Sequence, residues 1–240
     1  STVGSGIGTG SGQTFNVGTT HVIVTAINQC KTVVHEFDVI VADQIVPKVI
    51  TQNMTITLNE TGLASISASQ INAGSTDNCG IASVVISKEN FDCSNLGTNT
   101  VTLTVTDIHG NVSTAQATVT VIDNQVPVIT SPANISVIAT SAQGAIVNYV
   151  APVGTDNCAV TTVMTAGLAS GSTFPIGVTT VTYTTTDASG NTASASFTVT
   201  VVGVAPVIVV PENILQNNDA GQCGASVSFA ATETTAIPAS

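Results

Sequence analysis

Residues 177–202 read GVTTVTYTTTDASGNTASASFTVTVV. Val181 and Tyr183 on one side of the central DASGN, and Phe197, Val199 and Val201 on the other, alternate with Thr and Ser. A period of two places one set of side chains on a single face of a β-strand, so each run reads as a strand with one buried side. Between them, Asp187 is suited to cap a tight turn and Gly190 to take the positive φ that a hairpin demands. The stretch therefore predicts an antiparallel hairpin.

The same phrase occurs twice more. GTNTVTLTVTDIHGN spans 97–111 and is followed by the returning strand QATVTVID, and GTTHVIVTAINQC spans 18–30. The leading glycines, Gly18, Gly97 and Gly177, are evenly spaced along the chain. A second phrase also has three versions: VPKVITQNMTITL (46–58), VPVITSPANISVIA (126–139) and APVIVVPENILQNN (205–218). Their prolines, Pro47, Pro127 and Pro206, keep the same interval. So do Asp77 and Asp156 of a third phrase, TDNC. Three landmarks with one period, near 80, imply tandem modules. Expected boundaries are 1–43 for a C-terminal half-module, 44–123 and 124–202 for complete modules, and 203–240 for an N-terminal half-module. The two halves together make one period, so the chain reads as a window on a longer array.

About seven short strands per module, frequent turn signals and no segment of helical period predict an all-β, Ig-like β-sandwich. Prolines just after VADQI and VIDNQ fit short, stiff linkers. Together these features predict an elongated array.

Composition narrows function further. Only 7% of the 240 residues are charged, with three Lys, no Arg and a net charge of −11. Neutralising phosphates needs a basic face, so nucleic acid is not an expected partner. No apolar run reaches the roughly 18 residues of a spanning helix, and membrane insertion is not expected. The opening STVGSGIGTGSG lacks the basic and apolar regions of a signal peptide.

The cysteines are Cys30, Cys79, Cys93, Cys158 and Cys223. Cys79 and Cys93 are the closest pair, with no histidine nearby in sequence, unlike the tightly spaced ligand pairs of structural zinc sites. A disulfide Cys79–Cys93 is therefore expected, worth about 3 kcal/mol for a loop of about 15 residues. Disulfide usage points to an oxidising, extracellular setting.

Aspartate recurs at equivalent places: Asp43 and Asp123 before the linkers, Asp77 and Asp156 in TDN, Asp107 and Asp187 in the D-x-x-G-N turns. Two readings stand. These carboxylates accept backbone N–H bonds as Asx-type turns, or they gather Ca²⁺ at module junctions. His21, His35 and His109 read as residues of solvated strands or turns, and nothing converges as a nucleophile, base and orienter would. No enzymatic activity is expected.

The modules resemble the HYR (hyalin repeat) family. The resemblance rests on the Pro-containing first strand with ANI or ENI, on TDNC, and above all on GSTFPIGVTTVTYTTTDASGN with a final FTVTV. Residues 124–202 match nearly throughout and 44–123 as a divergent variant. The resemblance implies Ig-like sandwiches in an extracellular adhesion or spacing role. The acidic, Thr-rich composition is similar to the large gliding-motility adhesins of flavobacterium-like bacteria. That implies stalk or filament repeats of a secreted surface protein, extending and transmitting force. Its partners would be neighbouring modules of the same chain and, through other parts, surface polysaccharide or the motility and secretion machinery. The alternative is a set of carbohydrate- or protein-binding modules of a secreted protein or hydrolase. Tyr149 and Tyr183, with no Trp, are poor platforms for sugar stacking.

The family pattern also carries cysteines where this chain has Ser131 and Ala195, a bond lost as a pair. It pairs a Cys158-type residue with one in GQCGA, which here reads AQGAI, so Cys158 is expected to be a free thiol. Cys223 does sit in GQCGA. Cys223 and Cys30 are expected to form inter-repeat disulfides with copies outside this window.

Overall fold

A computed structural model describes residues 2–4, 12–205 and 207–234. Pro206, and the segments 5–11 and 235–240 through which the two half-modules would join, lie outside the described residues. The chain divides into two compact units: Ser1–Ile56 with Ala64–Val121, and Thr57–Leu63 with Ile122–Ser240. Among the described residues, no helix is long and apolar enough to cross a membrane.

In the first unit, β1 (Thr2–Gly4), β2 (Gly18–Ile27) and β3 (Thr32–Val41) form a three-stranded antiparallel sheet. The next strands are β4 (Met54–Thr57), β5 (Leu63–Ser65), β6 (Ile81–Ile86), β7 (Asn90–Asp92), β8 (Gly97–Asp107) and β9 (Val112–Ile122). They make a four-stranded sheet in the order β4-β9-β8-β6 and a two-stranded sheet β5-β7. One helical turn, α1 (Ala68–Ile71), precedes β6. Nothing in the periodicity predicts it, because so short a segment shows no period. Its signal is the S-x-x-Q capping box, in which the Ser67 N–H donates to Gln70 Oε1 at 2.8 Å.

The second unit repeats the pattern with β10 (Ile135–Ile138), β11 (Ala145–Ile146), β12 (Val160–Ala166), β13 (Thr173–Phe174), β14 (Gly177–Asp187) and β15 (Thr192–Val202). The sheets are β10-β15-β14-β12 and β11-β13, the same order as before. Short β16 (Val207–Val209) and β17 (Thr232–Thr234) pair beyond it. Among the described residues, each full repeat thus has six strands rather than about seven. The chain is all-β and sandwich-like, as the alternation required.

The opening stretch is the β14–β15 hairpin, in register from Gly177↔Val201 to Thr186↔Thr192. Val181, Tyr183, Phe197, Val199 and Val201 are buried in one cluster with Ala139, Ala145, Val147 and Phe174. On the opposite face, hydroxyls bond across strands: Thr182 to Ser196 at 2.9 Å, Thr184 to Ser194 at 2.8 Å, and Thr165 to Thr184 at 3.1 Å. Thr serves both faces of such a sheet, because it is β-branched and carries its own donor.

Tyr149 leans edge-on against Phe197, with ring centroids 5.0 Å apart. Its hydroxyl donates to the Leu168 carbonyl at 2.6 Å and lies 3.3 Å from the Tyr183 hydroxyl. Burial, then the contact with Tyr183, pushes the Tyr149 phenol up to about 12. Both tyrosines are thus committed to the module interior. The first strand is tied to the last by Asn134 of ANI, whose Oδ1 accepts from the Thr198 N–H at 2.9 Å. Ser131 donates to the Ser196 carbonyl at 2.6 Å, beside the Ala195 position with which its family counterpart would pair.

Candidate cation sites

Two equivalent places gather the recurrent aspartates. In the first unit, Asp43 follows β3, Asp77 lies in the loop before β6, and Asp107 ends β8. Each can offer a carboxylate oxygen such that all three atoms lie within 4.8 Å of one another, and the same holds for Asp123, Asp156 and Asp187 in the second unit. A long hairpin strand, a loop and the residue before a linker thus deliver one carboxylate apiece. This convergence is what the repeat spacing left open.

The turn reading holds in detail. Asp107 Oδ1 accepts from the N–H groups of His109 and Asn111, both at 2.8 Å, while Asn111 Nδ2 donates to Asp107 Oδ2 at 2.7 Å. Asp187 does the same with Ser189 at 2.9 Å, Asn191 N–H at 2.8 Å and Asn191 Nδ2 at 2.8 Å. Gly110 and Gly190 take φ of 90° and 91°, the left-handed conformation that closes each turn. The asparagines reach further: Asn111 Nδ2 donates to the Asp43 carbonyl at 3.2 Å and Asn191 Nδ2 to the Asp123 carbonyl at 3.1 Å. TDN turns are capped likewise, with the Cys79 N–H donating to Asp77 Oδ1 at 2.8 Å and the Cys158 N–H to Asp156 Oδ2 at 3.3 Å.

Turn bonding does not use every oxygen. Oδ2 of Asp43, Asp77 and Asp123 are buried atoms with no hydrogen-bond partner. The Asp43 side chain is 3% exposed and Asp123 4%. Acceptors buried without donors are costly, and a divalent cation supplies what such oxygens lack. The two readings are therefore complementary, with the turns engaging one set of oxygens and leaving the other over.

Burial raises the Asp107 and Asp187 carboxyls, but the asparagine and backbone donors outweigh it and hold both below the usual range. At Asp43 the Ile45 N–H is the largest influence, and the net direction is again downward. The Cys79 thiol is pushed up by burial, by the adjoining Asp43 carboxylate and by the other carboxylates around it.

The HYR domain family matches residues 122–201. Over nearly the whole chain the similarity extends to hyalin. The protein from Strongylocentrotus purpuratus is 34% identical over 243 residues, 94% of this chain and 20% of hyalin. That from Lytechinus variegatus is 34% identical over 237 residues, 91% of this chain and 44% of hyalin. The chain thus spans a fifth to under half the length of these relatives. Among solved structures, human protocadherin-24 EC1-2 is 15% identical, with 67% of this chain and 100% of that chain covered and a TM-score of 0.34. Drosophila N-cadherin EC1-4 is 13% identical, with 80% and 59% covered and a TM-score of 0.34.

Two cysteine expectations need correction, one of them in the segment that matches the HYR family. Cys79 is a free thiol, while Cys93 and Cys158 are disulfide-bonded. The Cys79–Cys93 staple is therefore not formed, and Cys158 is not free. Closeness in sequence says nothing about where two Cβ vectors point, which is what a disulfide requires. Cys79 instead faces polar partners, with Asn78 Nδ2 3.1 Å from its sulfur. Cys30 and Cys223 are free and exposed.

Sequence spacing also sets zinc aside, because no histidine lies near Cys79 in the chain. The structure brings His109 to it. Asp43, Cys79 and His109 can offer ligand atoms all within 4.8 Å of one another, and His109 Nδ1 lies 3.3 Å from Asp43 Oδ2. His21, by contrast, forms an exposed cross-strand pair, with Nδ1 2.7 Å from Asp38 Oδ1.

Proposed function

We propose that this chain is a stretch of tandem HYR-type modules, 44–123 and 124–202 complete and 1–43 and 203–240 as halves, from an extracellular adhesion protein. Its role is that of a non-enzymatic stalk or spacer that extends a binding region and carries load. The HYR match, embedded in a tandem repeat that aligns with hyalin over more than 90% of the chain, carries this reading. The near absence of basic residues and the burial of Tyr183 favour a spacer over a sugar-binding module. A role in gliding motility is the bacterial form of the same proposal. It predicts that the isolated chain binds no glycan on an array, and specific binding there would favour the alternative of carbohydrate-binding accessory modules.

Within this role, Asp43, Asp77 and Asp107, and likewise Asp123, Asp156 and Asp187, bind a divalent cation and stiffen the ends of their modules, the all-carboxylate second cluster taking Ca²⁺. The buried, unpartnered Oδ2 atoms of Asp43 and Asp123 support it. One bound Ca²⁺ at about 100 times its Kd adds about 2.7 kcal/mol of stability. Thermal unfolding in millimolar Ca²⁺ and in excess EDTA tests this, and coincident curves reject it. Cys30 and Cys223 are proposed to pair with cysteines of adjoining repeats.

A further inference from the structure

We infer that the first of the two clusters is a site for a zinc-class divalent cation, held by Asp43, Cys79 and a ring nitrogen of His109. The second cluster accepts only a hard, oxygen-seeking cation. This does not depend on the stalk reading, since it concerns the donor atoms alone.

The two clusters share their aspartates but differ in what surrounds them. At the first, the hairpin turn carries His109 and the TDN turn presents the free thiol of Cys79. At the second, the same turn position is Ser189, and Cys158 is disulfide-bonded. Among the described residues, the second cluster therefore gathers three carboxylates and no soft donor. Thiolate, imidazole and carboxylate together form the donor set of zinc and its first-row neighbours, whereas carboxylates alone suit Ca²⁺.

The geometry fits. Ligands about 2.0–2.3 Å from a tetrahedral ion stand roughly 3–4 Å from one another, and His109 Nδ1 is 3.3 Å from Asp43 Oδ2. That oxygen is buried and makes no well-formed hydrogen bond, although the His109 ring and the Cys79 thiol adjoin it, the arrangement a cation between the three would complete. The imidazole is 30% exposed, which gives an ion a way in. Supports are already in place: the His109 N–H is held by Asp107 Oδ1 at 2.8 Å, and Asp43 Oδ1 accepts from the Ile45 N–H at 3.2 Å. Three protein ligands leave the fourth position to water or to a neighbouring carboxylate. On binding, the Cys79 S–H bond breaks, the sulfur–metal bond forms and the proton leaves to solvent.

Differential alkylation of the unreduced 240-residue chain tests the site without any variant. Cys30, Cys79 and Cys223 are its free thiols, and the exposed Cys30 and Cys223 serve as internal standards. A metal-bound thiolate is a poor nucleophile, so Zn²⁺ is expected to slow alkylation of Cys79 by at least ~10-fold relative to the standards. Ca²⁺ at the same concentration should not. Co²⁺ in place of Zn²⁺ should produce a thiolate-to-metal charge-transfer band. His109→Ser installs the residue that the sister turn already tolerates. It should weaken Zn²⁺ protection by at least ~10-fold, since even outer-shell losses cost that much. Protection by Zn²⁺ no greater than by Ca²⁺, a Co²⁺ spectrum without the sulfur band, or unchanged protection in His109→Ser overturns the assignment. Failure here leaves Ca²⁺ binding at Asp123, Asp156 and Asp187 to stand or fall on the EDTA comparison.

Discussion

Asp156→Asn isolates the cation from the turn. Asp107 and Asp187 each take three hydrogen bonds from their own hairpin. Substituting either would damage the turn whether or not a cation binds. Asp156 is half-buried and takes one long bond, 3.3 Å, from the Cys158 N–H. Asparagine keeps an acceptor there and loses only the charge. Without a cation, that charge repels Asp123 and Asp187, whose oxygens can lie within 4.8 Å. Unit charges at about 4 Å interact by ~1 kcal/mol in water and ~4 kcal/mol at an effective dielectric of about 20. For a half-exposed group the lower figure applies to each pair, so in EDTA the variant should be more stable by about 1–2 kcal/mol.

With Ca²⁺ that advantage is largely cancelled. Losing one of three carboxylate ligands and about tenfold in Kd, a modest allowance, costs about 1.4 kcal/mol. At a concentration of about 100 times the wild-type Kd, the Ca²⁺ increment should fall from about 2.7 to about 1.4 kcal/mol. For a domain of this size that is about 5–10 °C of Tm. Calorimetry of both proteins in Ca²⁺ and in EDTA gives the four values needed. Equal Ca²⁺ increments for wild type and variant, within the error of the measurement, would refute the argument.

Further outcomes concern the packing and the turns. Tyr149→Phe leaves the Leu168 carbonyl without its 2.6 Å donor and should cost about 1–2 kcal/mol, read by urea denaturation. Because the folded Tyr149 pKa is raised to about 12 from 10.0, its contribution is whole below pH 10 and lost as pH rises towards 12. Tyrosinate absorbance is a clean readout, since Tyr183 is the only other tyrosine and there is no Trp. Gly144→Ala should destabilise more than either, because Gly144 has φ +121° and an added Cβ would collide with the Phe174 carbonyl. Loss of a cooperative thermal transition in the second unit is the expected result. Acid should also unfold the modules. Asp107 and Asp187 titrate below the usual 3.8 of an aspartate, so their stabilisation is present above that pH and lost as pH falls through the folded values. Circular dichroism followed down an acid titration checks this.

Much of this protein was legible from one dimension. Alternation in GVTTVTYTTTD and SFTVTVV settled which side chains enter the core, because a strand's period is two whatever it packs against. The repeat period located equivalent turns, and D-x-x-G-N named their capping residue, because such turns close through local bonds. What the tertiary structure alone decided is everything requiring non-local encounter. Asp43, Asp77 and Asp107 lie far apart in the chain, yet their carboxylates converge because a hairpin tip, a loop and a pre-linker residue meet at one place in the fold. The same meeting put His109 beside Cys79 and left that thiol free where sequence spacing had suggested a staple. Spacing along the chain limits which cysteines can pair, but the direction of each Cβ decides which do.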